Sequence, residues 1–138
     1  MPALSRRILT TGAAFAMAVS GVVFLSSPAS AATSCYANGC TGRDPAGTTC
    51  QNDAVTVGES NVNTELRYSP SCRAVWARQK YAKAGAQLFV ENNAGQRYDA
   101  WVPGDGVVTW TLMINDKDLL SHACGSPYPG NVSCSALY

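Results

Sequence analysis

Six cysteines are the residues of this chain with the clearest chemical potential, and they stand at positions 35, 40, 50, 72, 124 and 134. Cysteines can bind zinc, carry out thiol–disulfide exchange or crosslink a fold. Zinc sites usually draw on closely spaced Cys or His pairs, whereas four, nine and twenty-one residues separate the first four cysteines. A redox role would favour a Cys-x-x-Cys motif, which the sequence lacks. The spacing predicts structural disulfides at Cys35, Cys40, Cys50, Cys72, Cys124 and Cys134, with no metal and no cofactor.

The N-terminal segment has the pattern of an export signal. Arg6 and Arg7 precede an uncharged, mostly apolar stretch over residues 8–25, and Ala29-Ser30-Ala31 has the form of a cleavage site. A retained membrane anchor is the alternative, but the small-residue cleavage site favours a signal peptide over 1–31. The paired arginines also resemble a twin-arginine signal. The sequence therefore predicts one secreted domain over 32–138, outside the cell or at its wall and not in the membrane.

The charge of the predicted mature chain argues against nucleic-acid binding. Two of the ten basic residues lie in the leader, so eight basic and nine acidic residues remain beyond it. A near-neutral domain lacks the positive field on which binding to nucleic acids usually depends. We therefore expect no nucleic-acid partner.

Sequence alone permits fifteen disulfide pairings, but the turns favour one of them. If a hairpin has its turn at residues 58–61, two residues face each other across its strands when their numbers sum to about 121. The numbers of Cys50 and Cys72 sum to 122. Cys50 and Cys72 would then meet at its open end. Cys124 and Cys134 flank the turn-rich stretch "GSPYPGNVS" and are expected to pair, which leaves Cys35 with Cys40.

Alternation and turn residues predict an all-β fold. "AQLFVEN" and "QRYDAWV" flank Asn93-Ala94-Gly95, which indicates a second hairpin. In "VVTWTLMI" we expect Val108, Trp110, Leu112 and Ile114 to share the core face. The segment 73–86 has helix-forming residues, but we favour a strand through Arg78. The prediction is a small disulfide-stapled sandwich or barrel of five to six short antiparallel strands.

Two motifs carry a resemblance to a known family. The cysteine pattern from Cys35 to Cys50 and the stretch "ELRYSPSCRAVWAR" are similar to the bacterial family called domain of unknown function 2690. The resemblance covers about Cys35 to Ile114, which leaves residues 115–138 as a disulfide-closed tail. It implies mostly secreted, actinobacterial relatives and places the first four cysteines in the family core. It brings no established activity.

Candidate catalytic residues are few. His122 could act as a base, Asp44 is more typical of a residue that caps a turn, and Asp116 with Asp118 could in principle serve glycosidase chemistry or bind calcium. No nucleophile elbow, zinc helix motif or phosphate loop is present. We expect a protein that is not an enzyme, with a small extracellular hydrolase as an alternative.

A binding surface is the favoured functional hypothesis. Four cations lie within eleven residues, and they are Arg73, Arg78, Lys80 and Lys83. They could face an anionic partner such as a wall polymer or an extracellular protein, and Trp101 at a strand end could stack on a sugar or anchor a protein. Reversing two of these charges would then weaken binding and leave the fold intact. A second hypothesis is a protease inhibitor that presents either the Cys40–Cys50 loop, with Arg43 as the primary contact, or the stretch "GSPYPGNVS".

Overall fold

The computed structural model describes residues 31–138, so the predicted signal peptide lies outside the described residues except for Ala31. This part of the chain is all-β and contains no helix longer than a 3₁₀ turn of three or four residues. No helix within it is long and apolar enough to cross a membrane. The short 3₁₀ helices are Ala37–Cys40, Pro45–Gly47 and Thr49–Asn52. The strands are β1 Val55–Glu59, β2 Thr64–Ser69, β3 Ala74–Gln79, β4 Gln87–Asn92, β5 Arg97–Trp101, β6 Thr109–Trp110, β7 Ile114–Asn115, β8 Ser121–Gly125 and β9 Ser133–Cys134.

The strands form two antiparallel sheets, as the sequence predicts for a small sandwich. The first sheet has the order β1-β2-β3, with β6 and β7 both paired to the far side of β3. The second sheet has the order β5-β4-β8-β9. Six strands have five or six residues and three have only two, which agrees with the expected five to six short strands.

Strand β3 is buried on both faces. Val75 and Ala77 point into the main core, where they meet Leu88 and Val90 of β4 from the second sheet. Trp76, on the opposite face, packs in a second cluster with the buried cysteines 40, 50 and 72 and with Met113. Alternation along a strand sends successive side chains to opposite faces, so the cysteine-rich N-terminal segment covers the side of β3 that the second sheet does not.

The disulfides have the pairing that the turns favoured. Cys35 is bonded to Cys40, Cys50 to Cys72, and Cys124 to Cys134, and no free cysteine is present among residues 31–138. The Cys50–Cys72 bond joins the 3₁₀ helix Thr49–Asn52 to the turn before β3, with a Cα–Cα distance of 5.6 Å. It therefore fixes the N-terminal segment to the strand that this segment covers.

The turn of the first hairpin lies later than predicted. Strand β1 continues to Glu59, and the turn spans residues 60–63 instead of 58–61. Two features cause the difference. The Ser60 hydroxyl accepts hydrogen bonds from the backbone N–H groups of Val62 and Thr64 and so closes the later turn. A bulge between Thr56 and Gly58 adds one residue to β1.

The predicted core face of "VVTWTLMI" is also wrong. Trp110 pairs with Arg78, and Ile114 pairs with Val75. Three residues lie between Trp110 and Ile114, whereas only two lie between their partners on β3. This extra residue reverses the alternation, so Ile114 is buried in the main core while Trp110 turns outward. Val108 and Leu112, expected in the core, are exposed as well.

The ambiguous segment 73–86 begins as a strand, which confirms the interpretation favoured from the sequence. Strand β3 runs one residue beyond Arg78, and its pairing with both β2 and β6 leaves no room for a helix. The second hairpin also forms as predicted, with Gly95 at a positive φ of 83° in the turn between β4 and β5.

The first prediction tests the contact between the sheets at Gly125. A Cβ atom there would overlap Thr64 Oγ1 and Gln79 Oε1, both of which are buried. We expect Gly125→Ala to lower the free energy of unfolding by about 1 to 3 kcal/mol through overpacking, as measured by urea denaturation. Gly39→Ala is the control, because no atom lies within 4 Å of the corresponding Cβ position. Equal stability of the two variants would contradict the close packing at Gly125.

The second prediction ranks two disulfides. The Cys50–Cys72 bond closes a sequence separation of 22 residues and Cys124–Cys134 one of 10. Chain entropy gives stabilisations of about 3.4 and about 2.7 kcal/mol respectively. Replacing both cysteines of each pair by alanine should therefore cost more at Cys50 and Cys72, where the N-terminal layer also loses its attachment. The reverse order in urea denaturation would show that the N-terminal layer does not depend on this bond.

Candidate functional site: an aromatic groove at the sheet edges

Two tryptophans are exposed where the edge strands of the two sheets come together. Trp101 ends β5, the outermost strand of the second sheet, and Trp110 lies in β6, at the edge of the first. Their relative exposures are 60% and 41%, whereas Trp76 is only 4% exposed. The sequence correctly singled out Trp101 as the tryptophan to be exposed, but it missed Trp110.

Two adjoining pockets form a single groove around Trp110. The first, which we call the arginine pocket, has a volume of about 240 Å³, and its walls include Arg67, Trp76 and Arg78. The second, which we call the tryptophan pocket, has a volume of about 300 Å³ and is lined by Asp44 and Trp101 among others. Trp110 and Val108 belong to both pockets. The tryptophan pocket lies at the small end of the usual range for ligand sites, and the arginine pocket lies slightly below it.

Strand register explains why the arginine pocket exists. Arg67 of β2 lies opposite Trp76 of β3, and Arg78 of β3 lies opposite Trp110 of β6. Directly opposed residues of antiparallel strands project to the same face. These four side chains therefore share the outer face of the first sheet, next to the N-terminal segment, which contributes Pro45, Ala46 and Gln51 to the pocket wall.

Asp44 holds the Trp110 ring in place. The Trp110 Nε1–H group donates a hydrogen bond of 2.9 Å to Asp44 Oδ1. The same oxygen accepts the backbone N–H of Ala46 at 2.9 Å and thereby caps the 3₁₀ helix Pro45–Gly47. Asp44 is thus a turn cap, as the sequence indicated, and it also fixes the orientation of an exposed aromatic ring.

Arg67 has no carboxylate partner within residues 31–138. Its Nη1 donates to Thr56 Oγ1 and its Nη2 to the carbonyl oxygen of Ala54, both at 2.8 Å. Burial and then the positive charge of Arg78 lower the pKa of Arg67, and Glu65 only partly offsets them. Sequence inspection missed this residue because a single arginine in an alternating strand carries no distinctive signal.

A buried carboxylate pairs with the neighbouring cations. Glu65 has a side chain only 6% exposed and contacts Arg78 Nε at 2.5 Å and Lys80 Nζ at 2.8 Å. Burial alone would raise the pKa of Glu65, but the hydrogen bonds and charges of Arg78 and Lys80 outweigh it and lower the pKa. Glu65 lies in β2, opposite Arg78, so its role could have been found only from the strand register.

The four predicted surface cations do not form a free positive face. Arg73 pairs with Asp118 at 3.3 Å and Lys83 with Asp105 at 2.9 Å, while Arg78 and Lys80 share Glu65. Of the residues singled out from the sequence as a binding surface, Arg78 and Trp101 line the groove, whereas Arg73, Lys80 and Lys83 do not. The groove therefore draws on part of that set, joined by Arg67, Asp44 and Trp110.

The other candidate residues are placed apart from the groove. His122 Nε2 lies 2.8 Å from Glu91 Oε1, in a shallow depression that it shares with Leu120 and Leu137. Asp116 is buried and accepts a hydrogen bond from Ser121 at 2.5 Å, and its burial raises its pKa. Asp118 is exposed and contacts Arg73 instead. Asp116 and Asp118 therefore have separate partners and do not act as a carboxylate pair.

The first four cysteines lie close together in space. Their sulfur atoms are all within 4.8 Å of one another, and Cys35 Sγ is 3.4 Å from Cys50 Sγ. Thiolates are the form in which cysteine binds zinc. Because these sulfurs form two disulfides, the arrangement crosslinks the N-terminal layer and offers no thiolate ligands in this state.

The third prediction concerns Glu65. Replacing Arg78 and Lys80 together by glutamate would surround a buried carboxylate with like charge, so the fold would not be left intact. We expect the free energy of unfolding to fall by about 3 kcal/mol or more. Lys83→Glu with Lys117→Glu changes the net charge equally at two exposed positions and should cost far less. Equal losses for both double variants in urea denaturation would mean that Glu65 needs no partner.

A comparison with known proteins adds the family. No curated protein and no solved structure matches the chain. The model of the family described as "Protein of unknown function (DUF2690)" matches residues 38–124, which is more than half of the 138 residues. The matched range includes every residue of the groove, from Asp44 to Trp110. It ends at Cys124, ten residues after Ile114, where the resemblance expected from the sequence ends. The chain belongs to this family of proteins of unknown function.

Proposed function

We propose that this protein is a small extracellular binding module that holds a saccharide polymer of the cell wall in the groove around Trp101 and Trp110. The observation that carries the proposal is the pair of exposed tryptophans, which line one depression together with Val108 and the carboxylate of Asp44. Flat aromatic rings suit the apolar C–H faces of sugars, while Asp44 can accept hydrogen bonds from their hydroxyl groups.

The tryptophans can supply most of the binding energy. Burying a whole Trp side chain removes on the order of 150 to 250 Å² of surface from water, and Trp101 and Trp110, at 60% and 41% exposure, have roughly half of that area left for a ligand to cover. About 25 cal/mol is gained for each Å² of apolar area removed from water. The hydrogen bond from Trp110 to Asp44 already fixes one of the two rings. Such a preformed ring loses little conformational entropy when a ligand covers it.

The carboxylate content of the groove favours binding over hydrolysis. Most glycoside hydrolases use two carboxyl groups on either side of the bond that they cleave. Asp44 is the single carboxylate that lines the groove within residues 31–138, and its Oδ1 already accepts hydrogen bonds from Trp110 and Ala46, which leaves Oδ2 for a ligand. His122, the candidate base, lies in a separate depression. We therefore favour a module that retains its ligand unchanged.

The disulfides and the predicted signal peptide support an extracellular role. Three disulfides in a chain of this size are typical of proteins that function in an oxidising compartment. The predicted signal peptide over 1–31 points the same way. A wall polymer is the class of saccharide that such a protein would meet first outside its own cell.

Protease inhibition receives less support from the Cys40–Cys50 loop. An inhibitory loop pairs its extended backbone with that of the protease. In this loop the Arg43 N–H donates to the carbonyl oxygen of Cys40, and the Arg43 carbonyl oxygen accepts from Met113 N–H. The backbone of Arg43 is thus occupied within the protein, although its side chain is exposed.

The fourth prediction tests the groove by affinity electrophoresis, in gels that contain soluble wall polysaccharides, and by retention on isolated wall. Trp101→Ala and Trp110→Ala should each weaken binding about tenfold or more, as is common for central aromatic contacts. Tyr128→Ala is the control, because Tyr128 is an exposed aromatic residue outside the groove. Trp110→Phe should bind at an intermediate level, since it keeps a ring but loses the hydrogen bond to Asp44. Retention of both alanine variants at the level of Tyr128→Ala would refute the proposal.

A further inference from the structure

We propose that the polymer is acidic and that a sugar carboxylate binds in the arginine pocket between Arg67 and Arg78. This inference rests on the proposed function, because it assigns the chemical class of the ligand in the same groove. It commits to a saccharide in which acidic and neutral units alternate.

The first reason is an unbalanced charge. Arg67 is a half-buried cation that no carboxylate contacts among residues 31–138, and Arg78 beside it lowers its pKa. A charge that is partly removed from water is costly unless an opposite charge compensates it. Glu65 already contacts both Arg78 and Lys80, so the cluster keeps an excess of positive charge on the groove side. A ligand carboxylate would supply the compensation that the protein lacks.

The second reason is the supply of hydrogen-bond donors. A guanidinium group has five N–H donors in one plane, which matches the two oxygens of a carboxylate. Each terminal nitrogen of Arg67 donates one hydrogen bond, Nη1 to Thr56 and Nη2 to Ala54. Arg78 donates from Nε to Glu65, and its two terminal nitrogens make no hydrogen bond within residues 31–138. Both side chains therefore have donors left, and both line the same pocket.

The third reason is the environment of these donors. The buried Trp76 ring and Pro45 form an apolar part of the pocket wall, beside the polar groups of Gln51 and the two arginines. An apolar wall next to the arginine donors lowers the local dielectric constant and so strengthens their attraction for an anion relative to open water. Trp110 adjoins the same pocket, which allows a sugar ring to lie on Trp110 while its carboxylate points to the arginines.

The opposite end of the groove defines the neighbouring unit. Asp44 lines the tryptophan pocket together with Trp101, and its negative charge would repel a second carboxylate there. The same carboxylate accepts hydrogen bonds from neutral hydroxyl or amide groups. A neutral sugar on Trp101 next to an acidic sugar on Trp110 satisfies both ends. Hyaluronan, in which glucuronate alternates with N-acetylglucosamine, has this pattern and serves as the probe.

The fifth prediction is tested by titration calorimetry of the full mature protein. The probes are hyaluronan oligosaccharides and the same oligosaccharides with their carboxylates reduced to alcohols. We expect the acidic form to bind about tenfold more tightly or better, since hydrogen bonds to charged groups are the stronger ones. The difference should shrink as salt is added. Arg67→Gln should remove this preference and retain binding to the reduced form, whereas Lys117→Gln, an equal charge change outside the groove, should behave as the wild type.

Each contrary outcome has a distinct meaning. If the acidic and the reduced oligosaccharides bind equally well and Trp110→Ala binds neither, the inference of an acidic ligand is overturned. The proposed function would then still stand. Equal weakening by Arg67→Gln and Lys117→Gln would also overturn it, because the attraction would then be non-specific. If Arg67→Gln fails to fold, the comparison of the two probes on the wild-type protein still decides the question. Binding that changes in neither Trp101→Ala nor Trp110→Ala would remove the proposed function itself.

Discussion

The burial of β3 on both faces is the constraint on which the rest of the structure depends. A two-sheet sandwich covers one face of each sheet and usually leaves the other to water. Here Trp76 and Ala74 on the outer face of β3 are buried as well, beneath a segment with no strand of its own. An irregular layer has few backbone hydrogen bonds to hold it, so it needs covalent attachment. The Cys50–Cys72 bond provides that attachment at the start of β3, and the Cys35–Cys40 bond tightens the same layer.

The groove is a consequence of where this third layer ends. The N-terminal segment covers Trp76 but stops short of Trp110, whose outward ring it meets only through Asp44 and the residues that follow. One wall of the groove is therefore a disulfide-fixed loop and the other is a sheet edge. Because three buried sulfurs pack with Trp76, the position of the loop is set by the core and not by the ligand. Such a site is preformed, which lowers the entropy cost of binding.

Local patterns in the sequence were sufficient for much of the fold but not for the site. Turn residues located the β4–β5 hairpin and favoured the observed disulfide pairing, because a turn is encoded by a short stretch of sequence. Simple alternation along residues 107–114 puts Trp110 in the core. The segment has an extra residue relative to β3, and only the pairing with β3 reveals it. The four cations are close in sequence, which suggests a common surface. In the fold they form ion pairs with Glu65, Asp105 and Asp118, which come from other segments of the chain. The groove is built from residues of the N-terminal segment, β2, β3, β5 and β6, so no single stretch of sequence carried its signal.

The distribution of exposed apolar side chains separates the groove from the remaining surface. Single exposed apolar residues such as Tyr81 and Tyr128 are ordinary on a protein of this size. Trp101, Val107, Val108 and Trp110 are different, because all four line the same pocket and each is more than a third exposed. A contiguous apolar patch on a sheet edge is a risk for aggregation, which short edge strands reduce. Strand β6 has only two residues, so the edge that presents Trp110 offers little backbone for pairing with another chain. The exposed rings therefore lie at an edge where unwanted strand pairing is limited.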